Sequence, residues 1–202
     1  MPACPGCGLS LAQLDEVYGA SEVALERVND SDGRLEADER SRLVAQLAAY
    51  ESMFPQSFIV VHLGWFGSRT ALRQFGFWLL NRGALVEGDA MRLNENGVVL
   101  MIDAEARLAG LTVGYQIEPW LPEAALEESL ARGRTEFRDD RLGDGAVKVV
   151  THLAAALRAA LREPEAEIRK DWSRVNPLAG LRRLRSGILG RTSGTKSERW
   201  DE

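Results

Sequence analysis

The stretch Asn94–Gly114, NENGVVLMIDAEARLAGLTVG, constrains the fold more than any other part of the chain. Asn94-Glu95-Asn96-Gly97 is turn chemistry, because Asn and Gly tolerate positive φ at little steric cost. Val98 to Ile102 is an unbroken apolar run, the mark of a strand buried on both faces. Asp103 to Arg107 is short and polar, Leu108 to Val113 is apolar again, and Gly114 closes it. Two buried strands with so short a connection make a hairpin. A hairpin apolar on both sides needs cover on both sides.

The flanking chain supplies that cover. Glu36 to Phe54 carries Leu43, Leu47 and Tyr50 at helical spacing, with Asp38, Glu39, Arg40 and Arg42 expected on the other side, and Pro55 ends it. Ser57–Leu63 is a third buried strand. Gly64–Ser68 is a loop holding Trp65 and Phe66. Arg69–Asn81 is a second helix, with Leu72, Phe75, Trp78 and Leu79 as its apolar face. Ala84–Leu93 reads as irregular. Beyond the hairpin, Pro119 and Pro122 exclude an interior strand or helix, but Pro122 can open a helix that runs to about Gly133. Phe137–Gly145 reads as a linker with Asp139, Asp140 and Asp144. Ala146–Arg162 is an Ala- and Leu-rich helix. Residues 9–27 read as one or two short helices. There is no internal repeat.

A chain of 202 residues, 45% hydrophobic and 27% charged, fits one globular domain with extensions. Its net charge of −5 gives no global attraction to nucleic acid. The first residues carry neither a basic region nor an apolar core, and no apolar run approaches the roughly 20 residues that span a bilayer. The expectation is therefore a cytoplasmic, reducing location.

The two ends carry chemistry of their own. Cys4-Pro5-Gly6-Cys7 is a knuckle that points two sulfurs at one place, but a structural zinc needs four ligands. The other two could come from a second copy or from His62 and His152, both of which otherwise read as packed or surface residues. A redox pair would open a helix after a strand, and nothing before Cys4 can be one. An idle knuckle is the remaining alternative. From Glu163 the charge rises. Residues 177–190 place Leu178, Leu181, Leu184 and Ile188 on one stripe beside Arg182, Arg183 and Arg185. That is either a short in-plane helix for a membrane surface or protein partner, or a packed extra helix. The last twelve residues are polar and expected to be disordered.

Val28-Asn29-Asp30-Ser31-Asp32-Gly33 is a carboxylate-rich turn. It starts like an EF-hand loop and fails as one: the twelfth residue from Asp30 is Ser41, not Glu, and Arg34 takes the fifth place. A turn with a helix cap is the plain reading, an ion ligand the alternative.

Taken in order, these pieces resemble the TPM domain family, also called the repair family. The residues that carry the resemblance are Val28–Leu35, the helix and strand of Glu36–Phe54 and Phe58–Leu63, and the helix segment Phe75–Leu80. They continue with the pair Asn96-Gly97-Val98-Val99-Leu100 and Leu111-Thr112-Val113-Gly114-Tyr115, then Leu121-Pro122-Glu123 and Phe137-Arg138. The span is roughly residues 28 to 160. Glu95 stands where family members usually have Asp. They are commonly exported or membrane-anchored, whereas this chain offers a knuckle and a basic segment.

The resemblance implies an α/β three-layer sandwich, a four-stranded mixed sheet with helices on both faces. The residues alone place three of those strands. The expected organisation is a lead-in at 1–27, a TPM-like domain at 28–162 and a charged extension at 163–202. The family's links are to photosystem II repair, receptor-accessory roles, binding of calcium or another divalent cation, and weak phosphatase activity. Metal-assisted phosphoryl chemistry wants clustered carboxylates. The candidates are Asp30, Asp32, Glu95 and Asp103, with Asp139, Asp140 and Asp144 further out. With two histidines in the chain, no Ser-His-Asp set suggests itself. The function expected is a non-enzymatic accessory or interaction module with an unidentified protein partner and a divalent cation as candidate ligand. A weak metal-dependent phosphatase is the alternative.

Overall fold

The computed structural model describes residues 9–86, 94–171 and 195–199, with side chains as far as Arg162. The helices are α1 Leu11–Tyr18, α2 Ala37–Met53, α3 Arg69–Arg82, α4 Glu123–Arg138 and α5 Leu142–Asp171. The strands are β1 Val23–Leu25, β2 Val28–Asp30, β3 Phe58–Leu63, β4 Gly83–Leu85, β5 Gly97–Asp103, β6 Leu108–Val113 and β7 Thr195–Arg199.

The hairpin forms as the apolar runs require: β5 and β6 pair antiparallel from Val98↔Val113 to Asp103↔Leu108, and every residue of both is buried. The sheet order is β2-β3-β5-β6-β7, parallel across β2, β3 and β5 and antiparallel from β5 to β7. The expected four-stranded mixed sheet is present as β2-β3-β5-β6, with β2 as the strand that periodicity could not place, and β7 adds a fifth strand at its edge. β1 and β4 form a separate parallel pair.

Alternation along the strands divides the core in two. Ile59, Val61, Val98, Leu100, Ile102 and Leu111 pack with Leu43, Leu47 and Tyr50 of α2, Leu126 and Leu130 of α4, and Val149, Val150 and Leu153 of α5. Phe58, Val60, Val99 and Met101 face the other way, onto Leu14 of α1 and Leu72, Trp78, Leu79 and Leu80 of α3. Each such aliphatic side chain contributes roughly 1.5–3 kcal/mol when fully buried, so the two faces together hold the three layers. The crossovers β2-α2-β3 and β3-α3-β5 step the same way across parallel strands but lie on opposite faces. They must therefore differ in hand, so one of them is left-handed, against the strong general preference for right-handed crossovers.

Four expectations are corrected. Residues 9–27 form one short helix, which the reading of one or two allowed, and then a strand, β1, which it did not. α4 continues through Gly133 to Arg138, because that glycine lets the helix lie close to α5. A Cβ there would stand 2.8 Å from the Gly145 carbonyl and 2.9 Å from Val149. α5 begins at Leu142 and runs beyond Arg162 to Asp171. Its start is fixed by Glu39 of α2, whose Oε1 accepts the N–H groups of Gly143 (3.2 Å) and Asp144 (3.4 Å). A carboxylate there also meets the positive end of the helix dipole. Finally, residues 195–199, expected to be disordered, form β7 on the open side of β6. Backbone ladder bonds, rather than an apolar pattern, hold this polar segment as a strand.

Candidate functional site

Three parallel strands end in one row. Asp30 of β2 stands beside Leu63 of β3, and Leu63 beside Ile102 of β5. Open α/β sheets bind ligands at this carboxyl edge, where loops leave adjacent strands. Here the loops leave a shallow crevice, half open to solvent, with enclosed room for little more than a water molecule. Asp32, Arg34, Trp65, Glu105 and Leu142 line it.

Two carboxylates build its walls. Asp30 accepts the N–H groups of Arg34 (2.9 Å) and Leu35 (3.0 Å), so the turn curls around its own first acid. Gly33 supplies the positive φ of 65° that the curl needs. Asp103, fully buried, does more. Its Oδ1 accepts the N–H of Ala106 (2.8 Å), and its Oδ2 accepts those of Phe66 (2.7 Å) and Gly67 (2.9 Å). It thereby closes the β5–β6 turn and pins the β3–α3 loop. Trp65, on that loop, is 71% exposed at the crevice wall. The α4–α5 turn abuts the same place: Arg34 lies 3.7 Å from Asp140, whose φ is +58°. Asp144 pairs with Arg42 at 2.9 Å and Arg141 at 3.6 Å, and Asp139 with Arg141 at 3.4 Å. Exposed pairs such as Arg34–Asp140 add little stability and chiefly set local shape.

The four acids named from sequence are therefore divided. Asp30, Asp32 and Asp103 belong to one edge, with the backbones of Asp30 and Asp103 about 10 Å apart across two strand spacings. Glu95 precedes β5 and sits at the opposite edge, beyond the roughly 20 Å that β5 itself spans from Gly97 to Asp103. There it bonds the Tyr115 hydroxyl and holds that phenol above its usual range. A single ion cannot reach both ends. Among the described residues, no group of three or more His, Cys, Asp or Glu stands close enough to hold a metal ion.

The two histidines lie on opposite faces of the sheet and cannot share a zinc. His62 sits among Phe75 (ring centroids 5.1 Å) and Phe66 (6.1 Å) on the α3 side. Its Nδ1 is buried without a partner, and burial holds the imidazole below the usual histidine range. His152 lies between α5 and α4. Its Nδ1 is 2.9 Å from Ser129 Oγ and its Nε2 is 3.4 Å from Glu128. This Ser-His-Glu line was not foreseen in the sequence. Its geometry is that of a helix–helix tie: Ser129 has no exposed surface and its Oγ also donates to the Ala125 carbonyl at 2.6 Å. No substrate carbonyl can approach that hydroxyl. Cys4, Cys7 and residues 177–190 lie outside the described residues.

Sequence reasoning missed Arg34, Trp65 and Glu105 as crevice residues. The available signal was Trp65 itself, a large aromatic between Gly64 and Gly67 directly after a buried strand.

Fold and edge define an α/β sandwich with a crevice at the carboxyl ends of its parallel strands. The TPM domain profile matches residues 28–156, and the chain belongs to the TPM domain family. No curated protein matches it. The chain is similar in structure to the N-terminal domain of a P. gingivalis protein, with TM-score 0.52 and 18% identity over 74% of this chain and 90% of that one. It is also similar to the N-terminal domain of a Corynebacterium glutamicum protein, with TM-score 0.48 and 15% identity over 65% and 79%. Among the described residues no helix is long and apolar enough to cross a membrane.

Proposed function

We propose that the protein is a non-enzymatic accessory module that recognises a protein partner at the carboxyl-edge crevice, with Trp65 as its principal contact. The observation that carries this is the pairing of an indole left 71% exposed with a loop whose backbone is fixed by a buried carboxylate. An exposed, pre-positioned tryptophan offers large apolar area at low ordering cost, the property of residues that dominate interfaces. Asp32, Arg34 and Glu105 around it supply a polar rim of both signs. The basic segment 177–190 would add peripheral contacts to a partner or membrane surface, and the knuckle would add zinc-dependent ones.

The second reading is a weak metal-dependent phosphatase. It is favoured by two carboxylates, Asp32 and Glu105, lining the same crevice as the Arg34 guanidinium. Assay of the purified full chain with p-nitrophenyl phosphate and calcium, magnesium or manganese separates the two. The accessory reading expects no turnover that depends on the crevice. Divalent-dependent hydrolysis that disappears in both Asp32→Asn and Glu105→Gln would establish the phosphatase instead.

A further inference from the structure

The outer edge of β6 is closed by the far end of the same chain. β7 pairs with it antiparallel, from Leu108↔Arg199 to Thr112↔Thr195. Residues 172–194 separate β7 from the end of α5. β6 reads Leu-Ala-Gly-Leu-Thr-Val and is buried throughout, whereas β7 reads Thr-Lys-Ser-Glu-Arg.

Two physical points set this strand apart. First, Lys and Glu are depleted in strands, so the ladder to β6 and the nearness of α3 and α4, not strand propensity, place this segment. Second, an apolar strand left with an open edge is a template for pairing with other chains. The tail therefore covers a reactive edge using bonds that any extended segment in the same register can make.

The geometry points to the β6 edge as a strand-docking site that takes residues 195–199 in cis and, when that strand is released, takes the same segment from a second copy of this chain. The cis strand wins in isolated molecules. A tethered segment acts at an effective concentration of about a millimolar, well above the free concentration of a second copy in ordinary solution. Exchange belongs to crowded or clustered copies.

The test uses the full chain and a fluorescein-labelled peptide of residues 191–202. In the full-length double variant K196P/E198P, two prolines at the residues paired with Leu111 and Ala109 remove ladder donors to β6 and lock φ, which disables the cis strand. That variant should bind the wild-type peptide saturably and at least tenfold more tightly than the unmodified protein does. A peptide carrying the same two prolines should not bind. No binding by a variant whose β5 amides stay as protected from hydrogen exchange as the wild type's overturns the proposal. So does equal binding of the proline peptide, or equal binding by the unmodified protein. Hydrogen exchange on the unmodified protein decides independently of how well the variant folds. Residues 195–199 should exchange at least 100-fold faster than β5 yet slower than free chain. Protection equal to that of β5, or none at all, contradicts a detachable strand.

Discussion

Asp103 Oδ2 accepts the backbone N–H of Gly67 at 2.9 Å, and this bond across thirty-six residues of sequence decides where Trp65 stands. The same oxygen takes the N–H of Phe66, while Oδ1 takes that of Ala106. One buried carboxylate thus ties the β5–β6 turn to the β3–α3 loop and shapes one wall of the crevice.

Asp103→Ala should consequently destabilise the protein by about 3 kcal/mol or more, since it strips a charged acceptor from three backbone donors. Asp103→Asn keeps one acceptor oxygen and should lose less. Urea titration of both variants against the wild type gives the order. An alanine variant as stable as the asparagine variant would mean that the three bonds do not hold the loops.

Trp65→Ala should behave in the opposite way. The indole is exposed, so its removal should change stability by no more than about 0.5 kcal/mol. Partner binding should fall at least tenfold. Thermal melts and a binding titration on the same preparations separate the two effects. A large loss of stability would reassign Trp65 to packing.

Gly133→Ala tests the approach of α4 to α5. In an exposed helix interior the change would gain up to about 1 kcal/mol. Here the new Cβ would stand 2.8 Å from the Gly145 carbonyl, so the variant should instead lose about 1–3 kcal/mol. Chemical denaturation gives the sign directly.

His62 should give the stability curve an acid limb. Burial lowers its pKa in the folded state, so below the unfolded value of about 6.5 the unfolded chain binds the extra proton. Stability is then fully present above about pH 6.5 and falls as pH drops toward the folded pKa, by at most ~1.4 kcal/mol per pH unit for one proton. His62→Leu should flatten that limb between pH 7 and 5.5 at little cost at pH 7.5, because Nδ1 has no partner to lose. Equal slopes for the two proteins would show that the imidazole is not the group responsible.

The hairpin was readable because Val98–Ile102 is apolar at every step and Leu108–Val113 at all but Thr112, a pattern that fits strands covered on both faces. α2 and α3 followed from helical spacing. β2 escaped because Val28-Asn29-Asp30 is three residues long with two polar ones, and its pairing with Val61–Leu63 is a long-range choice that no local pattern records. β7 escaped for a related reason: a polar strand held by ladder bonds looks like a tail. The site was half legible. Asp30, Asp32 and Asp103 were marked by their turns, but separating them from Glu95 requires knowing which way β5 runs. Nothing in a loop sequence tells whether Trp65 faces the core or the solvent. That followed only from the bonds of Asp103.

The most direct measurement is site-specific photocrosslinking in the cells of origin, with Trp65 intact and a photoreactive phenylalanine at position 34, at position 105 of the same crevice, and at exposed Val17 on α1 as the control. The expected result is one and the same protein crosslinked at 34 and 105, absent at 17, and lost when Trp65→Ala removes the indole from an otherwise folded chain. Crosslinks indistinguishable among the three positions, or crosslinks at 34 and 105 that survive Trp65→Ala, would contradict the crevice as the recognition surface.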